Sequence, residues 1–138
     1  MGQINDLRSA LRENLKQIAG IQVSRYALYN PTPPGIHLWP SEIPAYHKVF
    51  GRPPQLSEIH FTVEAFVAFG TDIGSQEYMD QMLEPNGDKS VVAAIESDVT
   101  LAGACQDLIV VSSTSYQPIM TPDSRQLLTS EWLVTIIL

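Results

Sequence analysis

Groups able to do acid, base or nucleophilic chemistry are scattered along this chain: His37, His47, His60, a single Cys105, and fifteen acids, of which ten fall between Glu58 and Asp107. Metal binding by imidazole or thiolate needs ligands at short, repeated spacings, and there is no H-x-x-x-H and no C-x-x-C. Isolated histidines far more often hydrogen-bond locally than ligate, so all three are expected to be structural. The glycine-rich phosphate loops, the G-x-S-x-G nucleophile elbow and the EF-hand pattern are missing as well. A general acid-base pair among the ten clustered acids would be recognised by environment and separation, which sequence spacing does not supply. Cys105 lies in a strand pattern with no basic neighbour, which points to a buried, inert thiol. The expectation is therefore a protein that is not an enzyme, with no catalytic residue, no cofactor and no metal site.

The 138 residues fit one domain, residues 1-138, with 44% hydrophobic and 17% charged residues. No apolar run approaches the roughly 20 residues of a membrane span, so a soluble protein is expected. One cysteine allows no internal disulfide, which suits synthesis in a reducing cytoplasm. The start "MGQIND" departs from a myristoylation site at Asp6, and no signal-peptide core follows. The net charge of -7 is unevenly spread. Residues 1-25 hold Arg8, Arg12, Lys16 and Arg25 against Asp6 and Glu13, whereas residues 58-107 set ten acids against Lys89 alone. Nucleic-acid grip needs clustered Lys and Arg, so the acidic body argues against it.

The positioning elements follow from periodicity. Ile4, Leu7, Leu11, Leu15 and Ile18 predict an amphipathic helix over residues 4-19, with Arg8, Arg12 and Lys16 on a second face read as solvated. Residues 21-29 and 36-39 predict two strands joined by a rigid proline turn, with Pro33, Pro34 and Pro40 at strand ends or an edge. The segment from Pro40 to Pro54 has no period and reads as an interaction loop; Tyr46, Val49 and Phe50 are either its anchors or caps on the core. "EIHFTVEAFVAF" alternates as a strand, with Ile59, Phe61, Val63, Ala65, Val67 and Phe69 on one face and Phe66 and Ala68 making its far end apolar on both. A second helix follows, capped by Ser75, with Tyr78, Met79, Met82 and Leu83 on one face and Glu77, Asp80 and Glu84 solvated on the opposite side. A third, short helix is capped by Asp88 or Ser90, with Val91, Val92 and Ile95 inward. Two final strands form an antiparallel hairpin around Thr121, Pro122 and Asp123. The fold class expected is α+β: a mainly antiparallel sheet of about five strands, with an N-terminal helix and a central helical pair on one face.

Between the third helix and the penultimate strand, "DVTLAGAC" turns the chain through Ala102, Gly103 and Ala104, with Leu101 plugging the core. This corner sits within a longer order of events: the basic amphipathic helix, "PTPPGIHLWP", "EIHFTVEAFVAF", a helical pair, "SVVAAIESDVTLAGACQDLIVV" and a last strand "WLVTIIL". That order resembles the tail terminator, or tail completion, proteins of long-tailed bacteriophages across nearly the whole chain. Its most specific piece is D-x-T-L-x-G, in which Ala102 stands where a second glycine is expected.

The resemblance implies a virion structural protein at the tail-neck junction, made in the host cytoplasm. It would form a homo-oligomeric ring, a hexamer, that caps the major tail tube protein, stops tube polymerisation and meets the head-completion or stopper protein. DNA would pass through the lumen without specific binding, and no membrane is involved. Under this reading Trp39, Tyr46, His47, Val49, Phe50 and Arg52 form the subunit or tube interface, and Glu77, Asp80 and Glu84 give an acidic lumen that repels DNA. Other neck proteins, either head-tail joining or stopper proteins, share the size and layout. A small-molecule-binding or enzymatic α+β domain with a pocket between helices and sheet is the alternative from another class, and a non-viral oligomeric adaptor a third.

Overall fold

A computed structural model describes residues 2-47, 49-70 and 73-138. Its elements are α1 (Gln3–Leu15), β1 (Gln22–Ser24), β2 (Gly35–Glu42), β3 (Glu58–Ala68), α2 (Gly74–Leu83), α3 (Val91–Ile95), β4 (Asp107–Met120) and β5 (Gln126–Ile137). The five strands make one sheet in the order β1-β2-β3-β5-β4, antiparallel except for the β1-β2 pair. The three helices pack on one face, so the molecule is the expected α+β layer of helices on a mostly antiparallel sheet.

The alternation read in β3 puts Ile59, Phe61, Val63, Ala65 and Val67 in the core, and β5 meets them with Leu128, Trp132, Val134 and Ile136. Leu7, Leu11, Leu15 and Ile18 from α1, Met79 and Met82 from α2, and Val91, Ala94 and Ile95 from α3 close the layer. Ala94 is buried where Val92 was expected, Val92 being only partly buried. None of the described helices is long and apolar enough to cross a membrane.

Several local expectations are corrected. The first strand stops at Ser24 rather than Tyr29, because the Ser24 hydroxyl bonds back to the Tyr26 carbonyl at 2.8 Å and turns the backbone out of the ladder. The connection to β2 is not a tight proline turn: residues 25-34 cross over so that β1 and β2 run parallel. At the end of this crossing the Arg125 guanidinium donates to the Pro31 carbonyl at 2.8 Å and to Asn30 Oδ1 at 3.1 Å. Phe66 is buried next to this segment, and its ring lies over Gly35, where an added Cβ would come within 2.6 Å of the ring tip. Pro40 occurs where β2 has no outer partner, since β1 pairs only with Gly35, Ile36 and His37.

The basic row of α1 is not a solvated face. Arg12 Nε donates to the Val23 carbonyl at 3.1 Å, and Arg8 donates to the Arg25 carbonyl and stacks over the Tyr26 ring at 4.5 Å. These bonds satisfy carbonyls on and just beyond the outermost strand, which would otherwise face water or another chain. Only Lys16 of the three remains exposed. Ser75 lies inside α2, whose N-cap is Ile73 with no side-chain bond, whereas Ser90 does cap α3 by accepting the Ala93 amide at 3.0 Å.

The 98-103 corner carries a left-handed turn on three successive residues, with φ of 50° at Leu101, 56° at Ala102 and 90° at Gly103. Leu101 is buried by it. The carboxylate of Asp98 holds the turn by accepting from the Thr100 amide at 3.2 Å, the Thr100 hydroxyl at 2.9 Å and the Ala102 amide at 2.9 Å. Asn14 of α1 ties the same corner down by donating to the Ile95 carbonyl at 3.0 Å and the Asp98 carbonyl at 3.2 Å. The corner is a structural joint between helix layer and sheet.

Candidate functional site

The loop of residues 43-57 joins β2 to β3 and carries most of the expected interface set. The Gln55 amide donates to the Tyr46 carbonyl at 3.0 Å, and His47 Nδ1 bonds the Arg52 carbonyl at 3.0 Å, so the loop closes on itself. Gly51, with φ of 81°, makes the reversal. Ile43 and Leu56 at its ends pack against the core, while between them Tyr46, Val49 and Phe50 are all exposed, Phe50 completely so at 101%. The two readings left open by the sequence are thereby separated, because none of these three belongs to the core or packs against it. Arg52 is exposed and makes no ion pair among the described residues. Trp39 stands apart from the loop, half-buried on the helix-free face of β2 with its ring edge-on to His37 at 5.2 Å.

Glu77 and Asp80 of α2 and Glu84 at its C-cap are all exposed, at i, i+3, i+7 spacing. Asp80 accepts a hydrogen bond from the Tyr116 phenol at 3.1 Å. Desolvation, followed by the Asp80 carboxylate, raises the pKa of that phenol.

Residue spacing did not point to a polar row across the helix-free face. His37, Glu64, Glu131 and Thr114 are cross-strand partners on β2, β3, β5 and β4 in turn. His37 Nδ1 accepts the Leu28 amide at 2.9 Å, so its proton is on Nε2, which donates to Glu64 at 2.5 Å. Burial, and then the neighbouring Glu64 carboxylate, raise the pKa of Glu131. With one ring nitrogen bonded to backbone and the other to a carboxylate, His37 has no lone pair left to act as a base. His60 is likewise occupied on both sides, by Glu42 at 3.0 Å and Glu58 at 2.8 Å. No group of three His, Cys, Asp or Glu among the described residues converges as a metal site. Burial raises the pKa of the Cys105 thiol, which donates to the Val99 carbonyl at 3.3 Å.

A second surface was also missed. β4 is the free edge of the sheet, and Ile109 and Val111 on it are each 57% exposed, with Ile137 of β5 beside them. The signal was present in "VVSSTSYQ", where neither alternate set of residues is apolar, as expected of a strand with no cover on its outer half. A surface depression of about 370 Å³ between the end of α1 and α3 is lined by Gln17, Ile18, Asp88 and Ala93 among others.

Compared with protein-family models and with curated proteins, the chain matches none of them.

Proposed function

We propose that this protein is a ring-forming structural component of a bacteriophage tail, a tail terminator that caps the tube, ends its growth and offers a surface to the head. The observation that carries the reading is the presence, on one subunit, of two different uncovered apolar surfaces: the 43-57 loop and the β4 edge. Closed rings of identical subunits need two such unlike patches, because each copy must both give and receive the same contact. The order of elements shared with tail terminators supplies the rest of the case. In this reading the acidic α2 face, Glu77, Asp80 and Glu84, borders the DNA channel, where negative charge keeps phosphates from sticking. The protein acts by assembly instead of catalysis, and it resides in the virion at the neck.

The test is electron microscopy of the purified chain, alone and mixed with tail tubes. Rings with an open lumen, or caps on tube ends, are the expected outcome. Protein that leaves tube ends bare and binds head-side neck components instead would move it to the stopper or head-tail joining class. Protein that ignores both removes the reading.

A further inference from the structure

The two edges of the sheet are finished in opposite ways. On the β1 side, α1 lays Arg8 and Arg12 against the carbonyls of Arg25 and Val23, and Arg8 also reaches the Leu38 carbonyl at 3.4 Å where β2 runs past the end of β1. On the β4 side no helix or loop among the described residues covers Ile109 and Val111, which are each 57% exposed. This edge is nevertheless a poor template for adding a continuous strand. Glu96 Oε2 already accepts the Val110 amide at 2.9 Å, and the ladder is interrupted by bulges at Val110/Ser112 and Thr114/Gln117. Its occupant must therefore engage side chains.

We infer that the occupant is the 43-57 loop of a second copy, with Tyr46, Val49 and Phe50 seated over Ile109, Val111 and Ile137. The apolar match is direct, since both sets are exposed in the single chain. The charges match as well. Residues 43-57 contain Lys48 and Arg52 and no acid, whereas the receiving patch is flanked by Asp107, Glu58 and Glu96, with Asp107 and Glu58 both paired in register with Ile137. A subunit's own loop rejoins the sheet beside the patch, with Ser57 accepting the Leu138 amide at 2.9 Å and Glu58 paired with Ile137, yet it leaves Ile109 and Val111 each 57% exposed. Made in one direction between unlike patches, the contact is head-to-tail and repetition closes a ring or extends a filament; made reciprocally it stops at a two-fold dimer, which the double variant below would show as a dimer without a ladder. This deepens the ring reading and rests on it for closure, while the pairwise contact requires no tube.

Cross-linking tests it. In a Cys105→Ser background, Phe50→Cys and Val111→Cys are prepared separately, then mixed and oxidised. The expected product is a disulfide dimer containing one of each, formed in preference to either homodimer, and the double variant should give a ladder of higher oligomers. Phe50 has no core contact, so its replacement leaves the fold intact, which circular dichroism checks. Efficient cross-linking of Val111→Cys alone would mean two-fold edge-to-edge pairing, and of Phe50→Cys alone loop-to-loop pairing; either overturns the inference. So does the absence of any cross-link at the highest soluble concentration. Phe50→Ala and Arg52→Glu should each weaken self-association in sedimentation by about tenfold or more, the usual effect of removing an interface anchor. The tube assay separates the two claims: cross-link-negative protein that still caps tubes keeps the terminator reading and discards this contact, and a cross-linked ladder that ignores tubes does the reverse.

Discussion

At the scale of single residues, the corner at 98-103 shows how a side chain holds backbone that would otherwise relax. Leu101 and Ala102 adopt left-handed φ values that cost an ordinary residue about 1-2 kcal/mol each. The Asp98 carboxylate offsets this by accepting the Ala102 and Thr100 donors, and those bonds hold its pKa below the usual 3.8. A depressed acid stabilises the fold above its unfolded pKa and loses that contribution as pH falls through its folded value. Asp98→Asn should therefore melt at a lower temperature than the unaltered protein at pH 7, with the gap closing as thermal scans are taken below pH 3.8. Ala102→Gly should do the opposite, because glycine accepts the 56° φ without strain, and a gain of about 1 kcal/mol in denaturant unfolding is expected. A loss on that substitution would mean the turn is not left-handed in solution.

At the scale of elements, the row from His37 through Glu64 and Glu131 to Thr114 links four strands across the face without helices. Two carboxylates directly opposite on neighbouring strands repel when both are ionised. The raised pKa of Glu131 means that the fold favours its protonated form. Stability from this group is then full below about pH 4.5 and is lost as pH rises through the folded pKa. Glu131→Gln should raise the melting temperature at pH 7, and the advantage should fade below pH 4.5. An unchanged or lowered melting temperature at pH 7 would show that the pair is relieved by solvent. The edges follow the same logic of satisfied or unsatisfied groups: arginines from α1 finish the β1 side, and bulges with Glu96 partly blunt the β4 side.

At the scale of the molecule, Glu77, Asp80 and Glu84 line an exposed acidic stretch of α2 and its C-cap, while the loop at the β2-β3 end is basic and aromatic. If α2 lines the channel, reversing Glu77, Asp80 and Glu84 to lysine turns a repelling wall into one that binds phosphate. Particles carrying the triple variant should assemble normally and eject DNA more slowly, an effect that weakens as salt is raised. Single-particle ejection kinetics measure this directly, and unchanged rates would place α2 away from the lumen.

Periodicity in the sequence determined the helix layer, the β3 and β5 core faces and the hairpin turn, because burial on one side writes a repeat of 3.6 or 2 directly into residue order. Thr121, Pro122 and Asp123 were legible as that turn: the Thr121 amide does bond the Arg125 carbonyl at 2.8 Å, and the Asp123 carboxyl, bonded by Thr121 and Arg125, has its pKa pulled down to about 2. Tyr46, Val49 and Phe50 could be picked out by type, but an exposed aromatic and a core-capping one are spelled alike, and only the tertiary structure decided that they are exposed. The parallel β1-β2 pair, the docking of Arg8 and Arg12 and the Glu64-Glu131 neighbours were likewise decided in three dimensions. Each joins residues far apart in the chain, and pairing of that kind depends on strand order and register, which a local pattern does not carry.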